Sequence, residues 1–167
     1  NTSNVSNMAS MFKSSGFNKP LKHLNVSNLE NASHMFEDNT IFNQDVNNWE
    51  IGRIESFRDM FKGSSFNQPL WKWSKKFGEN HPGDESIDFE GMFQESTFNY
   101  PVKDWEVSRA ESIRNMFKDN TEFNKQLFPG WKLRGAKCKN VSNFLSGATA
   151  LSDSVNLAST PDSIKNA

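Results

Sequence analysis

One cysteine, Cys138, stands in 167 residues, which excludes an internal disulfide framework and any multi-cysteine metal site. No run is long and apolar enough to cross a bilayer, and the first residues given do not read as a signal-peptide pattern. No block of like charge occurs: 19 basic and 20 acidic residues leave a net charge of -1, so capture of nucleic acid or of an anionic membrane by charge is unsupported. Histidine is scarce. His23, His34 and His81 are far apart, and the first two occupy positions where other copies of a repeat carry Asp104 or Asn115. No paired-His motif, Gly-rich phosphate loop or nucleophile elbow is present. The chain therefore reads as non-enzymatic, with no cofactor and no metal.

What the chain does have is one phrase, repeated. It reads MF, a short stretch of mostly small and polar residues, then FN, at Met11/Phe12 with Phe17/Asn18, Met35/Phe36 with Phe42/Asn43, Met60/Phe61 with Phe66/Asn67, Met92/Phe93 with Phe98/Asn99, and Met116/Phe117 with Phe123/Asn124. A worn sixth copy runs from Phe144 to Val155. The spacings from copy to copy are 24, 25, 32, 24 and 28 residues, so the two long intervals are insertions, near 74–85 and 128–139. Fifteen Phe, six Met and five Trp sit in a chain only 35% hydrophobic. Large anchors in a polar matrix suit a thin stack of units that bury a strip between neighbours.

Ahead of each MF the apolar residues are spaced 3, 3 and 1, as in Val5, Met8, Met11, Phe12 or Ile54, Phe57, Met60, Phe61, which places them on one face of a short amphipathic helix. After each FN the spacing is 3 and 2, as in Val46, Trp49, Ile51 and Val102, Trp105, Val107, the L-x-x-L-x-L pattern of a short parallel strand. The expected fold is α/β: a right-handed leucine-rich-repeat-like solenoid of about six turns, each with a short parallel strand and a short helix. Residues 1–157 form its single domain and 158–167 a polar tail. Asn1 lies inside a repeat, so the segment reads as a piece of something longer.

The composite phrase carried by NVSNMASMFKSSGFNKPL, IESFRDMFKGSSFNQPL, FNQDVNNWEI and FNYPVKDWEV resembles the BspA-type leucine-rich-repeat surface proteins, a repeat common in mycoplasma lipoproteins and other bacterial surface proteins. The resemblance implies a secreted or cell-surface protein without enzymatic activity, in a family whose ligands are mostly undefined.

The Asn of FN, at Asn18, Asn43, Asn67, Asn99 and Asn124, reads as a structural ladder whose amides tie one turn to the next. The Phe and Met stripes read as core. The sequons at Asn1, Asn4, Asn25, Asn31 and Asn140 mostly coincide with the segment leading into each MF and need no glycan to explain them. The first insertion, with Glu79, Asn80, His81, Asp84 and Glu85 around Gly and Pro, lacks the order of an EF-hand loop or a zinc site and reads as a solvated loop. A binding face is expected at the variable outward residues after FN: Lys22, His23, Asn47, Asn48, Lys72, Lys103, Asp104 and Lys132, with Trp131 at its margin. The function expected is adhesion or binding to a protein or glycan, on another cell or in a surface assembly. The competing reading is a structural spacer or assembly subunit.

Overall fold

The computed structural model describes residues 1–77, 79–80, 83, 85–127, 130–131, 133 and 138–151. Among them there is no α-helix. The regular elements are a 3-10 turn at Trp71–Trp73 and two short parallel strands, β1 (Ile87–Asp88) and β2 (Ala110–Ser112). The expected leucine-rich-like solenoid with a helix and a strand in each of six turns is not the fold.

The segments expected to be helical take a different path. In the second copy the N–H groups of Ala32, His34, Phe36 and Asp38 donate to the carbonyls of Ser56, Arg58, Met60 and Lys62 in the third copy, at 2.8–3.0 Å. The alternate N–H groups, of Met35, Glu37 and Asn39, donate three residues back within the same copy, to Ala32, His34 and Phe36. An α-helix would send every one of these N–H groups four residues back. Two residues per copy, four apart, hold positive φ: Ser10 and Ser14, His34 and Asp38, Asp59 and Gly63, Gly91 and Glu95, Asn115 and Asp119, Asn143 and Gly147. A left-handed residue at every fourth position rules out a right-handed helix. The spacing of apolar residues cannot tell the two apart, because a chain that turns every three to four residues returns the same side chains to the inside.

Pairing between copies runs through these same segments. Single parallel bridges join Asn7 to Asn31, Asn31 to Ser56, Ser56 to Asp88 and Ser112 to Asn140, and β1–β2 joins Asp88 to Ser112. The register follows the intervals of the MF phrase. Side-chain oxygens set each entry: Asn7, Asn31, Asp88 and Asn140 accept from the backbone N–H two residues on, as Asx turns do. After FN, where strands were expected, the chain instead turns, with Trp49 N–H donating to Val46 O and Trp105 N–H to Val102 O.

Two files of phenylalanine rings run through a core that also holds buried Met, Leu, Ile, Val and Trp side chains. Within a copy the rings of MF and FN stack at 4.0–4.3 Å between centroids (Phe12–Phe17, Phe36–Phe42, Phe61–Phe66, Phe93–Phe98, Phe117–Phe123). Between copies the MF rings follow one another at 5.3–5.8 Å from Phe12 to Phe117, and the FN rings at 6.1–6.3 Å from Phe17 to Phe98. Such pairs add about 0.5–1.5 kcal/mol each beyond the area they bury.

The first insertion is not simply a solvated loop. Its Phe77 is buried and packs on Phe57, Phe89 and Trp105, with centroids 4.8–5.5 Å away. His81 and Asp84 of that insertion, most of the second insertion, and residues 152–167 lie outside the described residues.

Candidate functional site

The segments after FN place their residues by a simple rule. In 67–74 and 99–105 the buried Leu70 and Val102, and the buried Trp73 and Trp105, hold the chain to the core, so the residues between them face outward. Trp71 and Lys72 are exposed in one copy, Lys103 and Asp104 in the next. Trp71 is 62% exposed and Tyr100 is 37% exposed. Both are aromatic where other copies are polar: Trp71 corresponds to Asn47 and Lys103, and Tyr100 to Gln44 and Gln68.

Between these copies lies an open cleft of about 520 Å³, a size common for small-ligand sites, which span roughly 300–1,000 Å³. Its walls are Pro69, Leu70 and Trp71 from one copy and Tyr100, Pro101, Val102 and Trp105 from the other, with Ser74 and Asp104 as the polar members. The indole N–H groups of the four buried tryptophans fall into two pairs. Trp73 donates to Val46 O at 3.2 Å and Trp131 to Val102 O at 2.7 Å, each reaching the preceding copy. The buried indole nitrogens of Trp105 and of Trp49 have no such partner.

The residues expected on the binding face are treated unequally by the structure. Lys22, His23, Asn48, Lys72, Lys103 and Asp104 are exposed. Lys72 Nζ donates to Asn48 Oδ1 at 2.6 Å and stands 5.2 Å from the Trp71 ring centroid. Asp104 lines the cleft. Asn47 is buried and its Oδ1 accepts from the Lys72 N–H at 2.9 Å, so it fixes the backbone and offers nothing to a ligand. Trp131, expected at the margin of the face, is also buried and packs against Phe144 at 5.7 Å; a large ring with a carbonyl in reach of its N–H is better placed in the core. Lys132 lies outside the described residues. Trp71 and Tyr100 were missed by reading the repeat for what recurs. Their signal was departure from it.

The asparagines of FN form one column. The backbone N–H of Asn43 donates to Asn18 Oδ1, Asn67 to Asn43, Asn99 to Asn67 and Asn124 to Asn99, at 2.8–3.1 Å. A second column, not anticipated, is buried. Asn39 Oδ1 accepts from the N–H groups of Phe42 (2.9 Å) and Ile41 (3.2 Å), while Nδ2 donates to Phe17 O at 3.1 Å and Ser15 Oγ at 3.2 Å in the preceding copy. Asn120 repeats this with Phe123, Glu122, Phe98 O and Ser96 Oγ. The other copies place Ser15, Ser64 and Ser96 three residues after the Phe of MF, so a small polar residue at that offset was the legible sign.

Ion pairs also cross between copies. Lys13 Nζ and His34 Nδ1 both lie 2.7 Å from Glu37 Oε2, and Arg58 contacts Asp88 at 2.9 Å and Glu90 at 3.1 Å. Burial disfavours the Glu37 carboxylate, but hydrogen bonds from Lys13 and His34 outweigh it and hold the carboxyl below its ordinary range. Asp59 goes the other way, with burial pushing its carboxyl up. Among the described residues no group of three or more His, Cys, Asp or Glu is disposed to hold a metal ion, and no helix is long and apolar enough to cross a membrane.

Stacked copies locked by paired backbone, ring files and asparagine columns define a repeat protein whose recurrent residues are structural. The family described as "Mycoplasma protein of unknown function, DUF285" matches residues 1–83 and again 79–159, and the chain belongs to that family. Comparison with curated proteins and with solved structures returns no match.

Proposed function

We propose that this protein is a non-enzymatic repeat module of the cell surface or of secreted material, binding protein or glycan through side chains that the repeat does not fix. The observation that carries this reading is the exposure of Trp71 and Tyr100 beside one cleft. Exposed rings at positions that are polar elsewhere in the same chain give folding little, and large exposed aromatics beside a concavity are the usual anchors of recognition. The resemblance of the repeat phrase to BspA-type surface proteins supports the same placement.

The test is a glycan and host-protein screen on the intact chain, run beside Trp71→Ala. Selective binding that weakens in the variant supports the reading, and a screen without a specific partner counts against it. Replacing Lys22, Lys72 and Lys103 together should weaken binding and leave the melting temperature within a degree or two, about the size expected of surface changes. Light scattering separates this module from an assembly subunit, which would oligomerise.

A further inference from the structure

We propose that the cleft between Trp71 and Tyr100 takes an extended proline-containing peptide segment that carries a basic side chain. The inference rests on the binding-module reading and narrows it to a ligand class. The first argument is the balance of the lining. Trp71, Tyr100, Pro69 and Pro101 offer flat apolar faces, while the polar groups in reach are the Ser74 side chain, the Asp104 carboxylate and the Tyr100 hydroxyl. A sugar seated here would bring a hydroxyl on nearly every ring carbon, and most would lose water with nothing to replace it. A polyproline II segment has the opposite character: pyrrolidine rings that stack on aromatic faces, few N–H donors, and a backbone already extended before it binds.

The second argument is charge. Asp104 is the one charged group in the lining and has no ion-pair partner among the described residues. Lys72 is tied to Asn48 Oδ1 and does not line the cleft, so a ligand entering meets a carboxylate. An arginine or lysine next to the prolines would answer it.

The exposed Trp71 supplies the readout. Tryptophan fluorescence, to which Trp71 contributes with four other tryptophans, is followed as the full chain and its Trp71→Phe variant are titrated with a synthetic oligoproline, the same peptide with one arginine, and one with glycine in place of proline. The part of the change that the variant loses is that of Trp71. Saturable binding of the arginine peptide is expected, about three- to tenfold tighter than the plain oligoproline, and none of the glycine peptide below about 1 mM. Calorimetry on Tyr100→Ala, Trp71→Ala and Asp104→Asn should give losses of roughly tenfold or more for each ring; Asp104→Asn should abolish only the preference for arginine. All three residues are exposed, and unchanged thermal unfolding confirms that each variant is folded. Absence of oligoproline binding overturns the inference, as does binding indifferent to Trp71 and Tyr100. Trp71-dependent binding of a glycan without peptide binding also overturns it while leaving the module reading intact. Failure of every glycan, protein and peptide probe overturns both.

Discussion

Asn39→Ala is the substitution on which the structural reasoning can be tested most directly. Asn39 is fully buried and serves two copies at once, accepting from Phe42 and Ile41 in its own and donating to Phe17 O and Ser15 Oγ in the one before. Alanine would leave the buried Phe42 N–H without an acceptor and Phe17 O without a donor. Each unsatisfied group costs about 1–3 kcal/mol, so the loss should be roughly 2–5 kcal/mol, a large part of the 5–15 kcal/mol typical of a small protein. With a urea m-value near 2 kcal/mol/M, the unfolding midpoint should fall by about 1–2.5 M. Asn39→Ser is the informative partner, because the third and fourth copies already use serine there: Ser64 Oγ donates to Phe61 O at 2.7 Å and accepts from Phe66 N–H at 3.4 Å, and Ser96 does the same. Serine should recover about half of the loss, since it keeps the local acceptor and gives up the reach to the neighbouring copy. Asn43→Ala, in the exposed column, should cost about 0.5–1.5 kcal/mol, because water can replace what it gives. The reasoning is refuted if Asn39→Ala unfolds with the wild type, or if serine is no better than alanine.

Phe61→Ala removes a ring that stacks on Phe36, Phe66 and Phe93 and should cost about 3–5 kcal/mol by chemical denaturation. Gly63→Ala places a side chain at φ +62° into space held by Asp38 Oδ1. It should destabilise by roughly 1–2 kcal/mol, and pairing it with Asp38→Ala should relieve the steric part but not the backbone part. The carboxylates divide by sign. Glu37, with its folded pKa lowered, contributes stability above its unfolded pKa that is lost as pH falls through the folded value. Glu37→Gln should therefore destabilise at pH 7 and match the wild type in strong acid. Asp59, with its folded pKa raised by burial, disfavours folding once ionised, so stability falls as pH rises from its unfolded through its folded pKa. Asp59→Asn should remove that fall, seen as a flatter profile of unfolding midpoint against pH.

The repeat itself was plain in the sequence, and so was its register. The MF-to-MF intervals follow the pairing of Asn7, Asn31, Ser56, Asp88, Ser112 and Asn140, because each Phe must stack on its counterpart in the next copy. The cleft was partly legible: Asp104 stood among the variable outward residues, whereas Trp71 and Tyr100 are departures from the repeat and do not recur in it. The helix was read from a 3-3-1 spacing that turns of three to four residues produce equally well. A corrective sign was present in the same segments: glycine, asparagine or aspartate at the offsets of Asp38, Asp59, Gly63, Gly91, Asn115, Asp119, Asn143 and Gly147, residues that tolerate positive φ and that a helix interior would not favour.

Sequence alone determined most of the side chains that enter the core and which copies are neighbours, because both follow from the recurrence of large apolar residues at a fixed interval. Met11 of the first MF, which is exposed, and Trp131, which is buried, depart from that reading. Where each backbone N–H goes was decided only by the tertiary structure. A lone copy cannot choose between a partner four residues back and one a whole repeat away, since the second exists only when the next copy is stacked against it. That choice turned the expected helices into cross-linked turns, and the same stacking brought Trp71 and Tyr100 of neighbouring copies to the lining of one cleft.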